Sequence, residues 1–190
     1  MENVKIGIIV GSLRKESFNK KLAVALSDLA PAGFTCEQVK IDGLPIYNQD
    51  LEDGETPPPE WEAFRENVKK YDAVLFMTPE YNRSVPAVLK NALDIGSRPY
   101  GKSVWNGKPG AVMSVTPGAL GAFGANHHLR QSLVFLNVPT MQQPEAYIGN
   151  AAALFDANGS LINEGIRDFL QKFMDLYISW VEMNMHKCKR

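Results

Sequence analysis

Gly11, Ser12, Arg14, Ser17 and Asn19 crowd into one short stretch directly after the apolar run Val4 to Val10. The residues that follow, Phe18, Leu22, Ala25 and Leu29, recur at helical spacing. A strand that turns through Gly, Ser, Arg and Asn into a helix has the makings of an anion cradle. Its first N–H groups lack intrahelical partners, and the aligned peptide dipoles leave roughly half a positive charge there. Arg14 would add a bidentate cation, and Ser12, Ser17 and Asn19 would add neutral donors. The same residues also suit an ordinary strand-to-helix turn capped by Ser17.

Two further loops carry unusual chemistry. Pro79-Glu80-Tyr81-Asn82-Arg83-Ser84 follows the buried run Ala73 to Met77, and Thr116 to Gly124 follows Gly110 to Val115. Glu80 suits a general acid or base, or equally a carboxylate that orders its own loop. No nucleophile signature accompanies it.

These loops depend on the elements that carry them. Strands are expected at Val4–Val10, Phe34–Ile41, from Asp72 through Met77, Gly110–Val115 and Val138–Met141. Helical patterns separate them: Trp61, Phe64 and Val68; Val88 to Ile95, with Ser84 as a candidate N-cap; Leu129, Leu133 and Leu136; and a long stripe from Ile166 to Val181. Strand–helix alternation implies an α/β fold with helices on both faces of a parallel sheet. For five strands the expected architecture is flavodoxin-like and doubly wound, in the order 2-1-3-4-5. The polar second strand and the proline-bearing fifth suit the two edges. In that order, the loops after strands 1, 3 and 4 meet at the crevice where the connection direction reverses.

Other motifs lead elsewhere. Gly96-Ser97-Arg98-Pro99-Tyr100-Gly101-Lys102-Ser103 matches the P-loop consensus, but it follows a helix and contains a proline, so its amides are not expected to face a phosphate. His127 and His128 diverge by about 100° on a helix, and no carboxylate or cysteine stands at ligand spacing, so no metal is expected. Cys36 reads as a small core residue in a strand, and Cys188 lies in a basic terminal segment.

The bulk properties fit this picture. A chain of 190 residues with 45% hydrophobic content supports one domain, taken as residues 1–184, followed by a basic tail at 185–190. The net charge of −1 excludes the strongly basic surface that nucleic acid or an anionic membrane would select. No apolar run approaches membrane-spanning length, and no signal segment opens the chain, so a cytoplasmic location is expected.

Gly11-Ser12-Leu13-Arg14-x-x-Ser17-x-Asn19, together with Pro79-Glu80-Tyr81-Asn82-x-Ser84-x-Pro86-x-x-Leu89-Lys90-Asn91-Ala92, resembles the NAD(P)H-dependent FMN reductase family. His128-Leu129-Arg130-Gln131 and Val134-Phe135-Leu136 resemble its quinone and chromate reductases. The resemblance implies that Ser12, Arg14, Ser17, Phe18 and Asn19 hold the FMN phosphate and ribityl chain. It implies that Pro79, Glu80, Tyr81 and Asn82 line the isoalloxazine edge, with Thr116 to Gly118, including Gly118, bordering the ring. Arg83 stands where look-alikes often carry an aromatic residue, and it is expected at the substrate pocket. The implied activity passes hydride from NADPH or NADH to FMN and on to quinones or chromate by a ping-pong scheme. A flavodoxin-type electron carrier is the rival reading. A homodimer or homotetramer is implied as well, with Leu89, Leu93 and the Tyr100–Trp105 region as candidate interface residues.

Overall fold

The computed structural model describes residues 3–54 and 56–188. Its centre is a five-stranded, wholly parallel sheet in the order β2-β1-β3-β4-β5. The strands are β1 (Val4–Val10), β2 (Phe34–Val39), β3 (Ala73–Thr78), β4 (Gly110–Val115) and β5 (Ala146–Ile148). The helices are α1 (Phe18–Ser27), α2 (Gln49–Asp53), α3 (Pro59–Lys69), α4 (Ala87–Gly96), α5 (Phe123–Phe135) and α6 (Glu164–Cys188). The basic tail expected at 185–190 ends in Lys189 and Arg190, which lie outside the described residues.

Alternation along the strands divides the core into two layers. Ile6, Ile8, Leu75, Met77 and Met113 point to α1 and α6, where Leu22, Leu26, Phe173 and Tyr177 meet them. Ile9, Val74, Phe76 and Val112 point the other way, to Trp61, Phe64, Leu93, Leu129 and Leu133 on α3, α4 and α5. Every residue of β3 and β4 is buried, as a central parallel strand requires. The Tyr177 hydroxyl, deep in the first layer, donates to Val74 O at 2.7 Å. Trp180 Nε1 on the same helix donates to Pro139 O at 2.8 Å.

Three expectations need correction. The fifth strand lies at Ala146–Ile148, paired with Met113 to Val115, and not at Val138–Met141. The earlier segment does reach β4, through Gly110 N to Pro139 O and Met141 N to Gly110 O. It forms only an isolated bridge at Thr140 before Pro144 interrupts it. Proline cannot supply the N–H that a ladder needs, so pairing resumes past the second one. Ser84 does not cap α4. Pro86 occupies the N-cap, and the Ser84 hydroxyl instead meets His128 Nδ1 at 3.0 Å. Finally, Leu89, Leu93 and Trp105 offer no interface: they are 0–1% exposed, and the Trp105 Nε1 donates to Leu93 O. Gly96 makes that packing possible, because a Cβ there would lie 2.5 Å from the indole nitrogen.

Cys36 sits in β2, partly buried against the α1–α6 layer. Burial pushes its thiol up to about 11. A thiol held neutral is unreactive, because the thiolate is the nucleophile. With Cys188 replaced by serine, alkylation at pH 8 is therefore expected to be at least about tenfold slower in native protein than in denaturant. Equal rates would refute the assignment.

Candidate active site

The loops after β1, β3 and β4 converge beyond the carboxyl edge of the sheet. They enclose a cleft of about 170 Å³. The β1 loop supplies Ser12, Arg14, Ser17, Phe18 and Asn19; the β3 loop supplies Pro79, Glu80 and Tyr81; the β4 loop supplies Thr116. Val115 and Pro117 also line it; Pro117 falls within the expected Thr116 to Gly118 stretch, and Val115 lies one residue outside it. Asn82, Arg83 and Gly118 stand outside the cleft wall. They are exposed, on turns that rim it.

The β1 loop is preorganised from within. Ser17 caps α1, its hydroxyl accepting Lys20 N at 3.3 Å. The cap leaves the Phe18 and Asn19 amides at the helix start without intrahelical partners. Ser12, Ser17 and Asn19 are each at most 4% exposed. The Phe18 ring stacks on Phe155 at 6.1 Å, which fixes the start of the helix against the core. Asn19 is the most informative of the set. Its Nδ2 donates to Val115 O at 3.0 Å, which fixes the orientation of the amide. Its Oδ1 is then a buried acceptor without a partner among the described residues. Such an orphan costs about 1–3 kcal/mol unless something donates to it. Arg14 is the opposite case, an exposed guanidinium that forms no ion pair among the described residues.

In the β3 loop, Glu80 serves structure. Its Oε2 accepts Ala125 N at 3.0 Å and so caps α5, whose own N-cap residue, Ala122, has no side chain able to do so. Gly124 leaves room for the carboxylate, since a Cβ there would come within 2.9 Å of it. Tyr81 and Ser84 exchange both backbone hydrogen bonds around Asn82 and Arg83, at φ 50° and 64°. Two successive left-handed residues define a type I′ turn. Arg83 Nη1 lies 3.7 Å from Glu80 Oε1 with its side chain 76% exposed, a pair of small energetic weight.

The β4 loop is anchored on its far side. Ser114 Oγ donates to Gly121 O at 2.6 Å and receives Asn126 Nδ2 at 3.1 Å. Thr116 N donates to Ile148 O, and Asn150 N donates to Gly118 O. Gly149 permits that contact, because a Cβ would meet Ala119 O at 2.6 Å. The two histidines diverge as expected. His127 Nε2 meets the Tyr147 hydroxyl at 2.9 Å, and His128 goes to Ser84. The Tyr147 hydroxyl donates to Glu145, and burial with that carboxylate pushes the phenol up to about 12. Among the described residues no cluster of His, Cys, Asp and Glu could hold a metal, and no helix is long and apolar enough to cross a membrane.

Comparison with known proteins places the chain in a family. A family described as NADPH-dependent FMN reductase matches residues 4–153. A quinone reductase of Pseudomonas putida is 60% identical over 179 residues, covering 94% of this chain and 95% of its own. A 2-hydroxy-1,4-benzoquinone reductase of a Burkholderia species is 49% identical over 178 residues, covering 94% and 96%. Among solved structures, FerB, a flavoenzyme NAD(P)H:(acceptor) oxidoreductase from Paracoccus denitrificans, superposes with a TM-score of 0.88 at 40% identity, covering 95% and 98%. The chain belongs to the NADPH-dependent FMN reductase family and is an FMN-dependent oxidoreductase that uses a nicotinamide co-substrate.

Proposed function

We propose that the chain reduces quinones with NADPH or NADH through FMN bound in the cleft beyond β1, β3 and β4. The observation that carries this reading is Asn19. A buried, unpartnered amide oxygen on a residue that lines the cleft beside an anion cradle calls for a ligand that is anionic at one end and offers a donor close by. FMN has both, in its phosphate and its ribityl hydroxyls. Ser12, Arg14, Ser17 and the first amides of α1 would take the phosphate, and Asn19 Oδ1 would accept from the ribityl chain. Pro79, Glu80, Tyr81 and Asn82 would border one ring edge, and Thr116 and Gly118 the other. FMN supplies the hydride-accepting and hydride-donating chemistry, and the protein supplies binding, orientation and electrostatics.

Glu80 then positions and does not transfer protons, because its carboxylate is committed to α5. Backbone amides in a rigid loop can stabilise negative charge developing on a bound ring without reorganising. Arg83, exposed at the rim and held only by its weak pair with Glu80, is placed to touch an acceptor entering from solvent. A flavin held in the cleft with one ring face open would take nicotinamide and acceptor in turn, which gives a ping-pong scheme. Chromate fits the same scheme as an alternative acceptor.

A homodimer or homotetramer completes the reading. The cleft in one chain falls below the 300 Å³ or so of ordinary ligand pockets. Tyr100, Val134 and Phe135, which are 79–89% exposed, present an apolar patch for a second copy.

Purified protein is expected to be yellow, to bleach with NAD(P)H and to recolour with a quinone. Double-reciprocal plots at several quinone concentrations should be parallel. Protein that stays colourless after reconstitution with FMN would overturn the cleft assignment, and intersecting plots would overturn the scheme. Negligible steady-state NAD(P)H oxidation in the flavin-loaded protein would favour a bare electron carrier.

A further inference from the structure

A second crevice, of about 310 Å³, opens on the other side of Ser12, between the β1 loop and the carboxyl end of β2. Its walls include Leu13, Lys20, Gln38, Lys40 and Asp42. Nothing in the cradle described above uses these side chains. Lys20 Nζ reaches only the Leu13 carbonyl, at 3.4 Å. Lys40, at the end of β2, makes no hydrogen bond or ion pair among the described residues. Two lysines and one carboxylate, Asp42, therefore line this concavity. Leu13, 46% exposed, adds an apolar surface at its edge.

The geometry points to this crevice as the seat of the adenosine end of NADPH, with Lys20 and Lys40 pairing with its 2′-phosphate. The inference rests on the nicotinamide-dependent activity proposed above. A nicotinamide over the flavin must lay the rest of the dinucleotide on neighbouring surface, and Ser12 is shared by the cleft and the crevice. In dinucleotide-binding sheets of the order 3-2-1-4-5-6, an acidic residue beyond the glycine-rich turn reads the ribose hydroxyl and a nearby arginine takes a 2′-phosphate; this sheet has a different order, and what carries over to the end of β2 is the charge logic. Here that strand end carries both, Lys40 and Asp42. Leu13 gives the adenine an apolar wall, and the Gln38 amide is available to its ring nitrogens. NADH carries no 2′-phosphate, so the two lysines would discriminate between the nicotinamides.

The test uses the flavin-loaded protein and its Lys20→Gln, Lys40→Gln and double variants. The double variant is expected to raise KM for NADPH about tenfold while moving KM for NADH less than about twofold, with kcat unchanged for both. Calorimetric titration with adenosine 2′,5′-bisphosphate, which needs no turnover, should show binding to the parent protein that weakens in step, and 5′-AMP should bind weakly to all forms. Equal changes for NADPH and NADH, no change for either, or adenosine 2′,5′-bisphosphate binding that ignores the substitutions would overturn the proposal. FMN content, read by visible absorbance, separately reports on the underlying reading. Lys40→Glu repeats the test at an exposed position where folding is not at stake.

Discussion

Arg14→Ala is expected to raise the dissociation constant for FMN by about 10- to 100-fold, the loss that accompanies removal of a charge-assisted, bidentate contact to a phosphate. The stability of the apoprotein should move by less than about 0.5 kcal/mol, because Arg14 is exposed and forms no ion pair to lose. This split between a large ligand effect and a small folding effect separates a cradle from a capped turn. A residue that only shapes the turn would change both together or neither. Arg14→Lys should recover part of the loss, since an ammonium supplies charge without the planar fork. Equilibrium dialysis of FMN alongside urea denaturation of the apoprotein measures both quantities. Unchanged FMN retention in Arg14→Ala would refute the phosphate assignment.

The sheet and the three convergent loops were legible in the sequence because each rests on local signals. Apolar runs bounded by Gly and Ser mark β1 and β4, and solid burial marks β3. Polarity marked β2 as an edge, and it is one. The fifth strand is hard to place from sequence because its signal is weak. Ala146–Ile148 is three residues long, while Val138-Pro139 offers a stronger apolar cue that the prolines then spoil. Ser84 does not cap α4 for a tertiary reason, since a hairpin turn at 81–84 engages its backbone and His128 takes its hydroxyl. No sequence pattern shows that Glu80 reaches forward to cap a helix forty-five residues on. Only that contact decides between its two readings. Val115 and Pro117 line the cleft simply as neighbours of Thr116, a consequence of how the strand 4 loop leaves the sheet.

Helix α2 is another element that pattern reading passed over, and its anchor should respond most strongly to mutation. In sequence, Leu44 to Asp50 is a proline-bearing loop followed by acidic residues, and the five-residue helix that forms there buries none of its residues fully. Asn91 and Trp61 hydrogen-bond the residues just before it, and one ion pair ties the helix itself to its neighbours. Arg65 on α3, its side chain 4% exposed, donates through Nη1 and Nη2 to the two Glu52 oxygens and through Nε to Ile95 O at 2.9 Å. The pair ties α2 to α3 and to the end of α4 in one contact. Glu52→Ala would leave a guanidinium with one carbonyl and a mostly solvated Glu62 at 3.8 Å. Breaking a buried pair from one side costs about 3–5 kcal/mol, most of it the desolvation of the abandoned charge. Removing both partners leaves no such charge, so Arg65→Met/Glu52→Leu should recover most of the loss. Urea denaturation of Arg65→Met, Glu52→Leu and their double variant forms a closed cycle. A double variant as unstable as the sum of the singles would show that Arg65 contributes by packing alone, with no coupling to Glu52.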